Sequence, residues 1–82
     1  MYLNLGGTTL VRKRDIIGIF DLDRLEAGSS VMDFLRSYEE KKLVTVVGDG
    51  IPKAFVLTRS ADTEKIYITT LSAASLRGRN GV

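Results

Sequence analysis

From Tyr2 to Leu5 large apolar and polar positions alternate, and Gly6-Gly7 breaks the alternation, which predicts a short strand and a turn. Thr8 to Val11 is rich in β-favouring residues and predicts a second strand. Arg12-Lys13-Arg14-Asp15 is a polar quartet between two apolar runs and reads as a hairpin connection. Ile16 to Phe20 follows, apolar on both faces, as expected of a central strand, with Gly18 marking a bulge or a close backbone approach.

The period then changes. Asp21 to Ser29 is an acidic, Gly- and Ser-containing connection, after which Val31, Phe34, Leu35 and Tyr38 fall on one helical stripe. Ser30 is the expected N-cap, with Asp33 completing a loose capping box, and Lys41 and Lys42 close the last turn. Leu43 to Val47 predicts a strand, Gly48-Asp49-Gly50 a turn, and Lys53 to Thr58 another strand after Pro52. Ser60 to Lys65 reads as a polar loop and Ile66 to Thr69 as a sixth strand. Ser72 to Leu76 starts a short helix expected to end at Gly78, and Arg79 to Val82 is expected to fray. The pattern predicts one α+β domain over residues 1–82. Its sheet is small, with about five to six strands, and carries one amphipathic helix and a short C-terminal helix.

Composition narrows the function. The 82 residues include neither Cys nor His. This removes thiol nucleophiles, thiolate metal sites, disulfides and the usual general base near neutral pH. No cofactor, metal or small-molecule substrate is expected, and the chain reads as a binding protein, not an enzyme. Hydrophobic residues make up 44% with no Trp, so the core is mostly aliphatic and thin, which favours self-association. No apolar stretch approaches the roughly 20 residues that span a bilayer. Met1 to Leu5 lacks the basic leader and apolar run of a signal peptide, so a cytoplasmic location is expected. The edge strand offered to a second copy is expected at Tyr2 to Leu5 or at Ile66 to Thr69.

The net charge of +2 is too mild to name a partner, so its distribution matters more. Arg12, Lys13 and Arg14 repel one another at the expected hairpin tip and suit contact with phosphates. Lys53 beside the Pro52 turn is the expected neighbour, and Arg77 and Arg79 extend the basic surface. The competing reading is a solvated turn kept soluble by charge. Tyr38 and Tyr67 are expected to pack in the core before they stack on bases.

Asp21-Leu22-Asp23 after an apolar strand resembles the opening motif of haloacid-dehalogenase-type phosphatases, where a strand delivers an aspartate nucleophile and a second aspartate serves as acid/base. Arg24-Leu25 stands where Gly-Thr should follow, and the chain is far too short for that sheet. The same segment lacks the graded ligand spacing of a calcium loop. Gly6-Gly7 and Gly48-Asp49-Gly50 lack the frames of phosphate-binding loops and are turns.

The segments MYLNLGG, DIIGIFDLD, DFLRSYEEK, IPKAFVLT and KIYITTLSAASL, taken in this order, resemble the bacterial extracellular-matrix regulator family of RemA and RemB, with the closer likeness to the RemB branch. The resemblance runs from Met1 to about Arg77. It implies a transcription regulator of biofilm-matrix genes, a fold akin to LytTR DNA-binding domains, and ring-like homo-oligomers that present basic edges to duplex DNA. In the RemA branch the turn before the penultimate strand carries paired arginines. Here those positions read Gly50-Ile51, and Lys53 alone keeps a cation nearby. The hairpin arginine of that branch falls close to Arg14 and Asp15. The alternative is a protein-interaction or self-assembling module that does not touch DNA.

Overall fold

The computed structural model describes residues 1–26 and 28–80. Strands β1 (Tyr2–Gly6) and β2 (Thr9–Arg12) form an antiparallel hairpin, with Gly6 and Gly7 at positive φ in its turn. A second sheet holds β3 (Ile16–Asp21), β4 (Val44–Val47), β5 (Ala54–Ser60) and β6 (Thr63–Thr69) in the order β3-β5-β6-β4. Helix α1 (Ser30–Glu40) follows β3, and α2 (Ala73–Asn80) closes the described chain. Strand β6 pairs antiparallel to β5 and parallel to β4, so α1 carries the chain from one edge of the sheet to the other.

Three layers result. The hairpin and α2 cover one face of the four-stranded sheet, where Leu3, Leu5, Val11, Ala54, Val56, Ala73 and Leu76 form one buried cluster. Helix α1 covers the other face, where Leu35 packs with Phe55, Leu57 and Ile66. Strand β5 is therefore buried from Ala54 through Thr58 without alternation, as a strand covered on both faces must be.

The α+β class, the amphipathic helix and the short C-terminal helix match the sequence reading; several placements do not. Ile16 to Phe20 is an edge strand, not a central one, and β5 and β6 take the centre. Its apolar residues still have work on both faces: Ile16 and Ile19 pack under the hairpin layer and Phe20 under α1. Face burial makes a strand apolar whether or not it has two neighbours. Ile66 to Thr69 lies between β5 and β4 and offers no free edge. Ser60 to Lys65 is no loop, because β5 and β6 continue to a two-residue turn in which Ala61 has a φ of 54°.

Ser29, not Ser30, caps α1, accepting a hydrogen bond from the Met32 N–H at 3.2 Å. Helix α1 ends at Glu40, and Lys42 takes the left-handed position usually given to glycine. The Lys42 and Leu43 N–H groups then donate to the Glu39 and Tyr38 carbonyls in a Schellman arrangement. Helix α2 passes Gly78 and reaches Asn80. Residues 81 and 82 of the tail expected to fray lie outside the described residues.

Gly18 sits at the expected bulge, where the β3–β5 register shifts between Ile16 and Gly18. A Cβ there would meet the Phe20 ring at 2.9 Å. Gly48 has a φ of 91° and leaves no room for a Cβ beside Thr70.

Thr69 fastens the hairpin to the sheet. Its buried hydroxyl donates to the Leu5 carbonyl at 2.6 Å and accepts from the Leu71 N–H at 3.1 Å. Thr69→Val keeps the shape and leaves both backbone groups without this partner. Urea unfolding is expected to show a loss of about 1–3 kcal/mol. An unchanged midpoint would mean that the hairpin does not depend on this tie.

Candidate nucleic-acid interface

The basic run does not sit at a hairpin tip. Strands β2 and β3 belong to different sheets, and Lys13–Asp15 forms a 3-10 turn that links them. The turn closes when the Ile16 N–H donates to the Lys13 carbonyl. The Lys13 N–H donates to the Met1 carbonyl at 3.1 Å and ties the turn to the chain start.

The three cations then take separate roles. Arg12 Nε donates to Asp15 Oδ2 at 2.9 Å, and its terminal nitrogen donates to Ser60 Oγ at 3.0 Å. Arg12 is thus a clasp between the hairpin and the end of β5, half-buried beside an Asp15 side chain that is only 16% exposed. Lys13 is half-buried, and Arg14 is exposed to solvent. A surface contact made by this run is carried outward by Arg14 first.

Lys53 is not a neighbour of the run. It precedes Ala54, which pairs with Asp21 at the end of β3, whereas Ile16 at the start of β3 pairs with Thr58. Seven positions separate Lys53 from Ser60, the residue that Arg12 holds, so Lys53 lies about 20 Å away along the strand. At its own end, Arg24 Nε stands 3.7 Å from Asp21 Oδ2, and Arg77 donates to the Ile19 carbonyl at 2.7 Å. Arg77 therefore caps a backbone carbonyl of edge strand β3. The side chain of Arg79 lies outside the described residues.

Two cations at this end of the sheet escape the sequence pattern. The β5–β6 register sets Lys65 opposite Thr58, on the face that carries Ser60 and the Arg12 clasp, whereas Arg59 lies opposite Glu64 on the other face of the same end. The clue was available: Thr63, Lys65 and Tyr67 continue the alternation of β6, and Ala61-Asp62 is short enough for a tight hairpin.

Asp21, the residue of the phosphatase-like motif, accepts from the Asp23 N–H at 2.9 Å and so caps the 3-10 turn Leu22–Arg24. That role accounts for the spacing of the two aspartates. Tyr38 and Tyr67 are both partly buried against the two core clusters, as expected, while Tyr2 is 60% exposed. The Tyr38 phenol donates to Glu64 Oε1; this bond and partial burial raise its pKa above the usual value near 10.

Hairpin, four-stranded sheet and flanking helices define a small three-layer α+β fold with a cationic turn at one end of the sheet. No family model matches the chain. It is 35% identical over 79 residues to extracellular matrix regulatory protein B of Bacillus subtilis (strain 168), covering 96% of this chain and 89% of that protein. The chain belongs to the extracellular-matrix regulator family. Among the described residues no helix is long and apolar enough to cross a membrane.

Proposed function

We propose that this chain is a cytoplasmic DNA-binding transcription regulator that acts as a homo-oligomer and works by binding, without catalysis. The observation that carries the reading is the cationic turn, with Arg14 exposed to solvent and Lys65 exposed on the face of β6 beside the Arg12 clasp. Phosphates are the natural partner for such a cluster, because neutralising them releases condensed counterions. The word "regulatory" in the relative's name agrees with this assignment.

Assembly adds to it. A weak contact repeated on several copies gains avidity without any strong single site. Val46 on edge strand β4 is 63% exposed and Ile51 beyond it is 80% exposed, which favours burial against another copy. The decisive experiment is a mobility-shift titration of duplex DNA at low and moderate salt, with light scattering on the same sample. Retention that weakens steeply with salt, by a species larger than one chain, is expected. If no duplex is retained at low salt, the DNA reading is wrong and a protein-interaction module takes its place.

A further inference from the structure

The cleft beside the cationic turn arises because the hairpin is shorter than the sheet it covers. On the hairpin-facing side of β5 and β6, Ala54, Val56 and Thr69 are buried beneath it. The same face then continues through Thr58, Ser60, Thr63, Lys65 and Tyr67, and here the hairpin leaves a cleft of about 620 Å³. Tyr2, Leu10 and Arg12 form its opposite wall.

We propose that this cleft binds a small phosphorylated ligand, of the size and chemistry of a nucleoside monophosphate. Its volume falls within the roughly 300–1,000 Å³ typical of small-molecule sites. Its electrostatics select an anion. The wall carries two cations, Arg12 and Lys65, and one carboxylate, Asp15, which is already paired to Arg12 at 2.9 Å. Lys65 is exposed and makes no ion pair among the described residues.

The guanidinium is also preorganised. Asp15 and Ser60 hold it from two sides and occupy two of its five N–H donors, leaving the others for an acceptor. Ser60 and Thr63 add hydroxyls that donate to phosphate oxygens or accept from sugar hydroxyls. The exposed ring of Tyr2 and the Leu10 side chain give a planar apolar group a surface to lie on. Together these groups suit a phosphate joined to a ring better than a phosphate alone.

Occupancy would place the ligand against Arg12, at the base of the cationic turn, so ligand and duplex affinities are coupled; this coupling alone rests on the DNA reading.

The test needs no DNA reading to hold. Amide proton–nitrogen NMR spectra of the full chain are recorded during titration with adenosine 5′-monophosphate, inorganic phosphate, adenosine or a short duplex. The monophosphate is expected to shift Ser60, Thr63, Lys65 and Tyr67 saturably, with a Kd below about 1 mM. Inorganic phosphate should reach the same amides more weakly, and adenosine should not saturate them. Lys65→Gln, an exposed change whose own spectrum reports its fold, is expected to weaken the monophosphate about tenfold, while Lys53→Gln leaves it unchanged. The proposal is overturned by monophosphate shifts confined to Lys13 and Arg14. It is equally overturned if only the duplex perturbs the cleft, which would make these residues part of the DNA surface.

Discussion

Phe55→Ala is expected to cost about 3–5 kcal/mol. Phe55 is 0% exposed near the start of β5, the strand that both layers cover. Its ring stacks on Phe20 of edge strand β3, with centroids 4.7 Å apart and planes 13° from parallel. It also belongs to the cluster that receives Leu35 from α1. One truncation therefore loosens the edge strand and the helix together. A chain of this length has a total stability of about 4–12 kcal/mol, so the loss takes a quarter or more of it. The measurement is urea unfolding followed by circular dichroism, since the protein has no Trp. Phe34→Ala is the comparison. Phe34 is 37% exposed on the same helical stripe and touches the Tyr38 ring, so its removal should cost less than about 2 kcal/mol. Equal losses for the two variants would mean that β5 is not the packing centre of the fold.

The difference between those phenylalanines marks a boundary of what the sequence reveals. Helical spacing put Val31, Phe34, Leu35 and Tyr38 on one stripe, and the stripe does meet the sheet, but only Leu35 is fully buried. Periodicity identifies a face; the width of the sheet beneath decides how much of that face is covered. Strand order obeys the same logic. The apolar run Ile16 to Phe20 signals that both faces are covered, and the hairpin layer and α1 do cover Ile16, Ile19 and Phe20 even at an edge, while Ile17 stays 55% exposed. Neighbours within a sheet are backbone partners, and side-chain pattern records them poorly.

The cationic site was half legible. Its central run is local in sequence and was found there. Its surroundings depend on register: Lys53 sits close to a turn in the chain, yet one strand length of β5 carries it to the far end of the sheet. Lys65 and Arg59 look like residues in or beside a polar loop until Ser60 is paired with Thr63. Of the two partners of Arg12, Asp15 is three residues away and within reach of a sequence reading, but Ser60 is 48 residues away. Non-local tethers of this kind leave no pattern in a single sequence.

That division of labour sets the last expectation. Lys13→Ala with Arg14→Ala removes two charges from the turn and leaves the residues of the clasp, Arg12, Asp15 and Ser60, unchanged. On the DNA reading, the slope of log affinity against log salt is expected to fall by roughly 0.9 for each phosphate no longer neutralised, hence by about 2 for the pair. Arg12→Ala acts differently. It leaves Asp15 without its ion-pair partner and frees Ser60, so it should lower thermal stability as well as duplex affinity. Lys53→Ala probes the opposite end. A duplex that touches both ends of one sheet must extend over about 20 Å, or roughly six base pairs at 3.4 Å each. Groups that far apart share no partner, so the losses from Lys53→Ala and from the turn pair should add in free energy. If Lys53→Ala instead abolishes the effect of the turn changes, the two ends meet across an interface between copies. In that case the DNA surface is assembled from neighbouring chains and cannot be read from one sheet alone.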